Sequence, residues 1–204
     1  MSDDRQTWIR HSFYLALFTA FFHSLQFTAS LALWMRTKSP AIISFGLDAF
    51  VSVVAALVLA SRIRIPGQTS RTNLTGNFLS GYGYMAASAV AFYQGASMLW
   101  NRERPIPSVL NIVVAAVSML VIPIIGSYMK VLAVELRSRT LKSAAIFTFG
   151  NSYLSMVLLI ASLLNYGMNL GWGDPLGALV MFPFMAQKGI QILLEEGKHE
   201  YVED

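Results

Sequence analysis

Apolar residues run along this chain in six long blocks separated by short polar stretches. The blocks fall at about 11–35, 39–61, 77–100, 108–133, 141–164 and 174–194. Each reaches the roughly 20 residues that a helix needs to cross a hydrocarbon layer of about 30 Å. The breaks are polar and basic: Arg36-Thr37-Lys38-Ser39-Pro40 closes the first block, Ser61-Arg62-Ile63-Arg64 the second, and Arg137-Ser138-Arg139 precedes the fifth. Trp8, Trp34, Trp100 and Trp172 fall near predicted ends, where indole rings favour the membrane interface. The third block is rich in Gly, Ala and Ser, which lets helix backbones approach closely. Pro123 inside the fourth removes a backbone donor and predicts a kink. The pattern predicts an all-α integral membrane protein, a six-helix transmembrane bundle forming a single domain over 1–204.

Composition agrees with that reading. Charged residues make up 13% of the 204 positions and hydrophobic ones 55%, against about 25% and 45–50% in soluble domains. The net charge of +4 does not point to nucleic acid, because the basic residues flank the apolar blocks as anchors. Eleven of the fifteen Lys and Arg residues fall at the N-terminus, the 2–3 and 4–5 connections with Lys130, and the C-terminal end with Lys188. Arg36, Lys38, Arg102 and Arg104 lie on the other face, so the positive-inside bias places both termini in the cytoplasm. Met1 to Arg10 reads as a cytoplasmic stub ahead of the first span rather than a cleavable signal. The sequon Asn73-Leu74-Thr75 falls in the 2–3 loop on that topology. With no cysteine there is neither a disulfide framework nor a thiolate metal site. No nucleotide, heme or nucleophile motif is present, and no enzymatic activity is expected.

Polar side chains deep in a span are costly and mark function by default. Asp48 lies about 13 Å into span 2, Asn151 about 15 Å into span 5 and His23 about 18 Å into span 1, at 1.5 Å per residue. All three reach the middle third of the bilayer. Asp48 and Ser52, four residues apart, share a helix face and can offer two oxygens to a cation. Other readings compete. Asn151 at such a depth is more often an interhelical hydrogen-bond donor, and His23, with Gln26 one turn on, is more often packing. Lys130 reads as a snorkelling anchor, and Asp174 before Pro175 as a helix N-cap.

Four stretches, in order, carry a family resemblance: SPAIISFGLDAFVSVVAALVL, AFYQGASML, LRSRTLKSAAIFTFGNSYLS and GWGDPLGALV. Together they resemble the transmembrane domain of the cation diffusion facilitator (cation efflux) family over nearly the whole chain. The tail Lys198 to Asp204 resembles the transmembrane protein 163 type, zinc-binding vesicle proteins without a C-terminal cytoplasmic domain. The resemblance implies that the two helix-2 ligands fall on Asp48 and Ser52. It puts the helix-5 His on Phe147, which cannot ligate, and the helix-5 Asp on Asn151. The metal site it implies is therefore Asp48, Ser52 and Asn151, with His23 as a replacement ligand, and zinc or another divalent cation as the ligand.

Two functions follow. One is divalent-cation (zinc) binding or transport at a degenerate midplane site. The other is a non-transporting structural or regulatory subunit that pairs with another membrane protein, to which Gly81, Gly83, Ala86 and Ala87 of span 3 would offer a small-residue face. A homodimer, or a hetero-oligomer with another membrane protein, in an organelle or vesicle membrane is the expected setting. A lipid- or small-molecule-binding protein using the aromatic first span is a weaker third reading.

Overall fold

A computed structural model describes the backbone of residues 2–64 and 71–200. It holds six helices, α1 (Ser2–Thr37), α2 (Pro40–Arg64), α3 (Arg71–Trp100), α4 (Val109–Glu135), α5 (Arg139–Gly167) and α6 (Gly173–Glu200). Each brackets one predicted apolar block and overruns it. At 1.5 Å per residue the 36 residues of α1 extend about 54 Å, well beyond a hydrocarbon layer of about 30 Å. The segment 2–10, expected as a stub, is continuous with α1, because no residue there breaks a helix. Similarly, the sequon at 73–75, expected in a loop, falls within α3. Among the described residues five helices are long and apolar enough to cross a membrane, and α3 falls short. Helix assignment runs through Pro123 in α4 and also through Pro183 in α6.

Local chemistry explains several helix ends. Ser138 accepts a hydrogen bond from the Leu141 amide at 3.3 Å and caps α5. Lys38, Arg102, Arg137 and Asn169, just past the ends of α1, α3, α4 and α5, adopt the left-handed backbone region with φ of 48–57°. Within α1, Ser12, Thr19, Ser24 and Thr28 donate to the carbonyl four residues back, which satisfies each hydroxyl where no water is available.

The bundle has two distinct ends. At one, the end of α1, the starts of α2 and α6, the end of α5 and the 3–4 connection converge: Ile106 N donates to Thr37 O, Asn165 Nδ2 to Pro105 O, and Ser39 Oγ to Asp174 Oδ1. We call this the far end and the opposite one, which carries the start of α1 and the end of α6, the near end. One buried apolar cluster fills the far half, with Ala41, Phe45, Ala115, Leu158 and Met181. A second fills the near half, with Ala16, Leu59, Met129, Leu132 and Leu141. The perimeter is also apolar: Phe21, Leu120 and Ile124 are about two-thirds exposed or more. That inside-and-out hydrophobicity is what a lipid solvent requires.

The small residues of α3 are spent inside the chain. A Cβ on Gly81 would lie 2.8 Å from Leu193, one on Gly189 would lie 2.9 Å from the Gly81 carbonyl, and one on Gly95 would lie 2.9 Å from the Pro175 carbonyl. Gly83 faces Val51 and Ala87 is buried, so of the four positions expected to face a partner only Ala86 is exposed. These glycines let α3 and α6 run in backbone contact.

Candidate functional site

Between the two apolar clusters lies a polar layer. Asp48 and Ser52, four residues apart on α2, point from one face into the bundle, and both are buried. Asn151 projects from α5, Tyr84 from α3 and His23 from α1, all buried as well. The resulting network is closed by a side chain that the charge pattern assigns elsewhere. Lys188 of α6, expected among the basic anchors of the C-terminal end, is buried and donates to Asp48 Oδ1 at 2.8 Å. The same Nζ donates to Asn151 Oδ1. It also stands 5.2 Å from the centre of the Tyr84 ring, a cation–π distance. Asn151 Nδ2 donates to Ser52 Oγ at 3.0 Å, and Ser52 Oγ shares a hydrogen bond with Tyr84 Oη at 2.9 Å.

The reason Lys188 does not snorkel is packing. Gly189 beside it brings α6 against α3 at Gly81, which turns position 188 inward. On α5, Gly150 leaves room for the stem: a Cβ there would sit 3.2 Å from Lys188 Cε. With the lysine paired to a single carboxylate, the layer carries no net charge from these two groups. Desolvating two opposite charges together is far less costly than burying either alone.

The predicted site residues therefore divide. Asp48, Ser52 and Asn151 come together, on α2 and α5. His23 lies on the edge of the group, its Nδ1 within 3.1 Å of Gln26 Oε1 and not bonded to Asp48. Phe147 lines the adjoining cavity. Among the described residues no three His, Asp or Glu side chains gather in one place. Asp174, expected to cap its own helix, instead serves α2, accepting from Ser39 Oγ at 2.9 Å and from the Ala41 amide at 3.1 Å. Neither Lys188 nor Tyr84 was expected in the site. A signal for Lys188 was present, since it lies about six residues inside the sixth apolar block, roughly 9 Å by helical rise. A lone cation and a lone carboxylate in different spans are natural partners.

A cavity of about 230 Å³ reaches this layer from the near end. Thr140 and Ser143 line it at the start of α5, and Ser52, Tyr84, Asn151 and His23 line it at mid-depth. More than half of its lining residues are polar. Among the described residues no Asp or Glu lines it, and Arg62 does. Water can therefore reach Asn151 and Ser52 from the near end.

No curated protein matches the chain. The family model of the cation efflux transmembrane domain does match, over residues 16–198, which reaches into all six helices and takes in every residue of the polar layer. This multi-pass membrane protein therefore belongs to the cation efflux family, a family of transporters rather than enzymes.

Proposed function

We propose that this protein moves a cation through a seat centred on Asp48, and that its own Lys188 holds the seat when no cargo is bound. One observation carries the reading: a cation, the Lys188 ammonium, sits on Asp48 Oδ1 and Asn151 Oδ1, two of the positions at which the family resemblance implies ligands. The ammonium stands in for cargo. Its contacts mark a place of mid-depth where a buried carboxylate and an amide oxygen accept positive charge, with the Ser52 hydroxyl behind them. Asp48 Oδ2 has no hydrogen-bond partner among the described residues, so half of the carboxylate is still open to a ligand.

The donor set selects the cargo. Carboxylate, amide and hydroxyl oxygens are hard ligands, suited to Mn²⁺, Mg²⁺ or Ca²⁺. Zinc, the metal of the transmembrane protein 163 type that the tail resembles, would draw on His23, whose Nδ1 is now engaged by Gln26. A cargo cation arrives from the near end, through the 230 Å³ cavity, and must displace the ammonium to bind. We take the near end as the cytoplasmic one, following the positive-inside count.

A second reading has its own support. The ion pair and its amide tie α2, α5 and α6 together at mid-depth, as a lock in a non-transporting subunit would. Calorimetry with Mn²⁺ and Zn²⁺ on the purified protein, on Asp48→Ala and on Lys188→Gln separates the two. The carrier reading expects weak binding in the native chain, at least tenfold tighter binding in Lys188→Gln and none in Asp48→Ala. If Lys188→Gln binds no better than the native chain, the lock reading replaces it.

A further inference from the structure

Six buried side-chain polar atoms lack a hydrogen-bond partner among the described residues: Gln26 Nε2, Ser30 Oγ, Asp48 Oδ2, Asn111 Oδ1, Ser162 Oγ and Asp174 Oδ2. Such atoms are uncommon in proteins, and a bilayer gives them no relief. Their distribution is one-sided. Gln26 and Asp48 lie at the polar layer; Ser30, Asn111, Ser162 and Asp174 all lie between that layer and the far end. None belongs to the near half, where the cavity already supplies a route for water.

Two of the orphaned atoms fall at the ends of one line. On α2 the positions 41, 44 and 48 share one face, so Ser44 stands between Asp48 and the Ala41 amide that Asp174 accepts from. Ser44 Oγ donates to Pro40 O, leaving its lone pairs unused. On α1, Gln26 and Ser30 are one turn apart on the buried side, with Ser30 against Gly46 of α2. Asn111 and Ser162 enter from the far ends of α4 and α5. Five helices thus each bring an unsatisfied polar atom to the polar layer or the far half, and the line from Asp48 ends on a second buried carboxylate.

Capping alone does not account for Asp174. Its Oδ1 makes both capping contacts, to Ser39 Oγ and Ala41 N, while Oδ2 makes none. An asparagine would cap α2 equally well through one oxygen. A carboxyl group at the far end, with one oxygen free and a polar line leading to Asp48, has the chemistry of a cation ligand.

We infer that Asp174 is a second cation station, at the far end of a polar passage between α2, α5 and α6 that is closed in this structure. The inference rests on the Asp48 reading above. Cargo passing from Asp48 reaches Asp174 when the far half opens, and the orphaned side chains then meet water.

The experiment uses Mn²⁺ uptake into proteoliposomes together with thiol labelling, for which the absence of cysteine gives a clean background. Asp174→Asn keeps the capping oxygen and removes the charge. It is expected to lower Mn²⁺ flux at limiting concentration at least tenfold while leaving the unfolding midpoint of the native protein unchanged. Asp174→Ala, which loses the cap as well, is expected to lower both. Ser44→Cys and Ser162→Cys are expected to react with a membrane-impermeant thiol reagent from the far side during Mn²⁺ flux. Flux in Asp174→Asn equal to that of the native chain, or cysteines at 44 and 162 that stay unlabelled while Mn²⁺ moves, would overturn the station and leave the Asp48 reading standing. A native chain that moves no Mn²⁺, or an Asp48→Ala variant that moves it unimpaired, would bring down the Asp48 reading and this inference with it.

Discussion

The Asp48–Lys188 pair makes a quantitative demand on stability. Its N–O separation is 2.8 Å and both side chains are buried. At an effective dielectric of about 20 two unit charges that close attract by about 6 kcal/mol, and desolvation takes back a large part of it. Removing one partner strands the other charge in a low-dielectric interior, at a typical cost of about 3–5 kcal/mol. Removing both leaves two neutral groups of similar volume, and such replacements are often close to neutral. Lys188→Met keeps the length of the stem along Gly150, and Asp48→Asn keeps the shape of the carboxylate. Each single variant should lose about 3–5 kcal/mol, and the double variant less than either, so that the coupling exceeds about 3 kcal/mol. The hydrogen bond lost to Asn151 Oδ1 is common to both Lys188→Met backgrounds and cancels in the cycle. Unfolding by anionic detergent in mixed micelles, followed by tryptophan fluorescence, measures all four proteins. Losses that add within about 0.5 kcal/mol would mean that the two side chains are not paired as described, and the account of the polar layer would fail.

Two further substitutions test the packing that delivers Lys188 to Asp48. Gly150→Ala places a methyl 3.2 Å from Lys188 Cε; the flexible stem can yield by a few tenths of an ångström, so a loss of about 1 kcal/mol and a weaker coupling in the same cycle are expected. Gly189→Ala sets its methyl 2.9 Å from a backbone oxygen of α3 that cannot move alone. A loss of about 2–3 kcal/mol is expected there, against no loss in Gly167→Ala, where nothing stands within 4 Å.

The six helices are legible in the amino-acid sequence because the bilayer imposes a length and an apolarity on each span, and both are properties of a single segment. Depth is legible for the same reason: residue count along a helix becomes distance at 1.5 Å per residue, so Asp48, Asn151 and His23 fall at one level whichever helices touch. Two of them, with Ser52, do share a network. His23 does not join it directly, since sequence gives a residue's depth along its helix and not its azimuth relative to neighbours.

What the chain alone does not say concerns pairing between segments. Lys188 has the pattern of an anchor because basic residues near a helix end usually reach for water; it turns inward because Gly189 and Gly150, on two different helices, clear the way. Asp174 has the pattern of a cap for its own helix, and the choice of α2 instead depends on where two helix starts meet at the far end. The glycines of α3 likewise announce a close approach without naming the partners, which are α6 and α2. Hydrophobicity and helical rise are written into each segment and determine the spans and their polar level; the partner of every polar or small side chain is a relation between segments, and only their packing decides it.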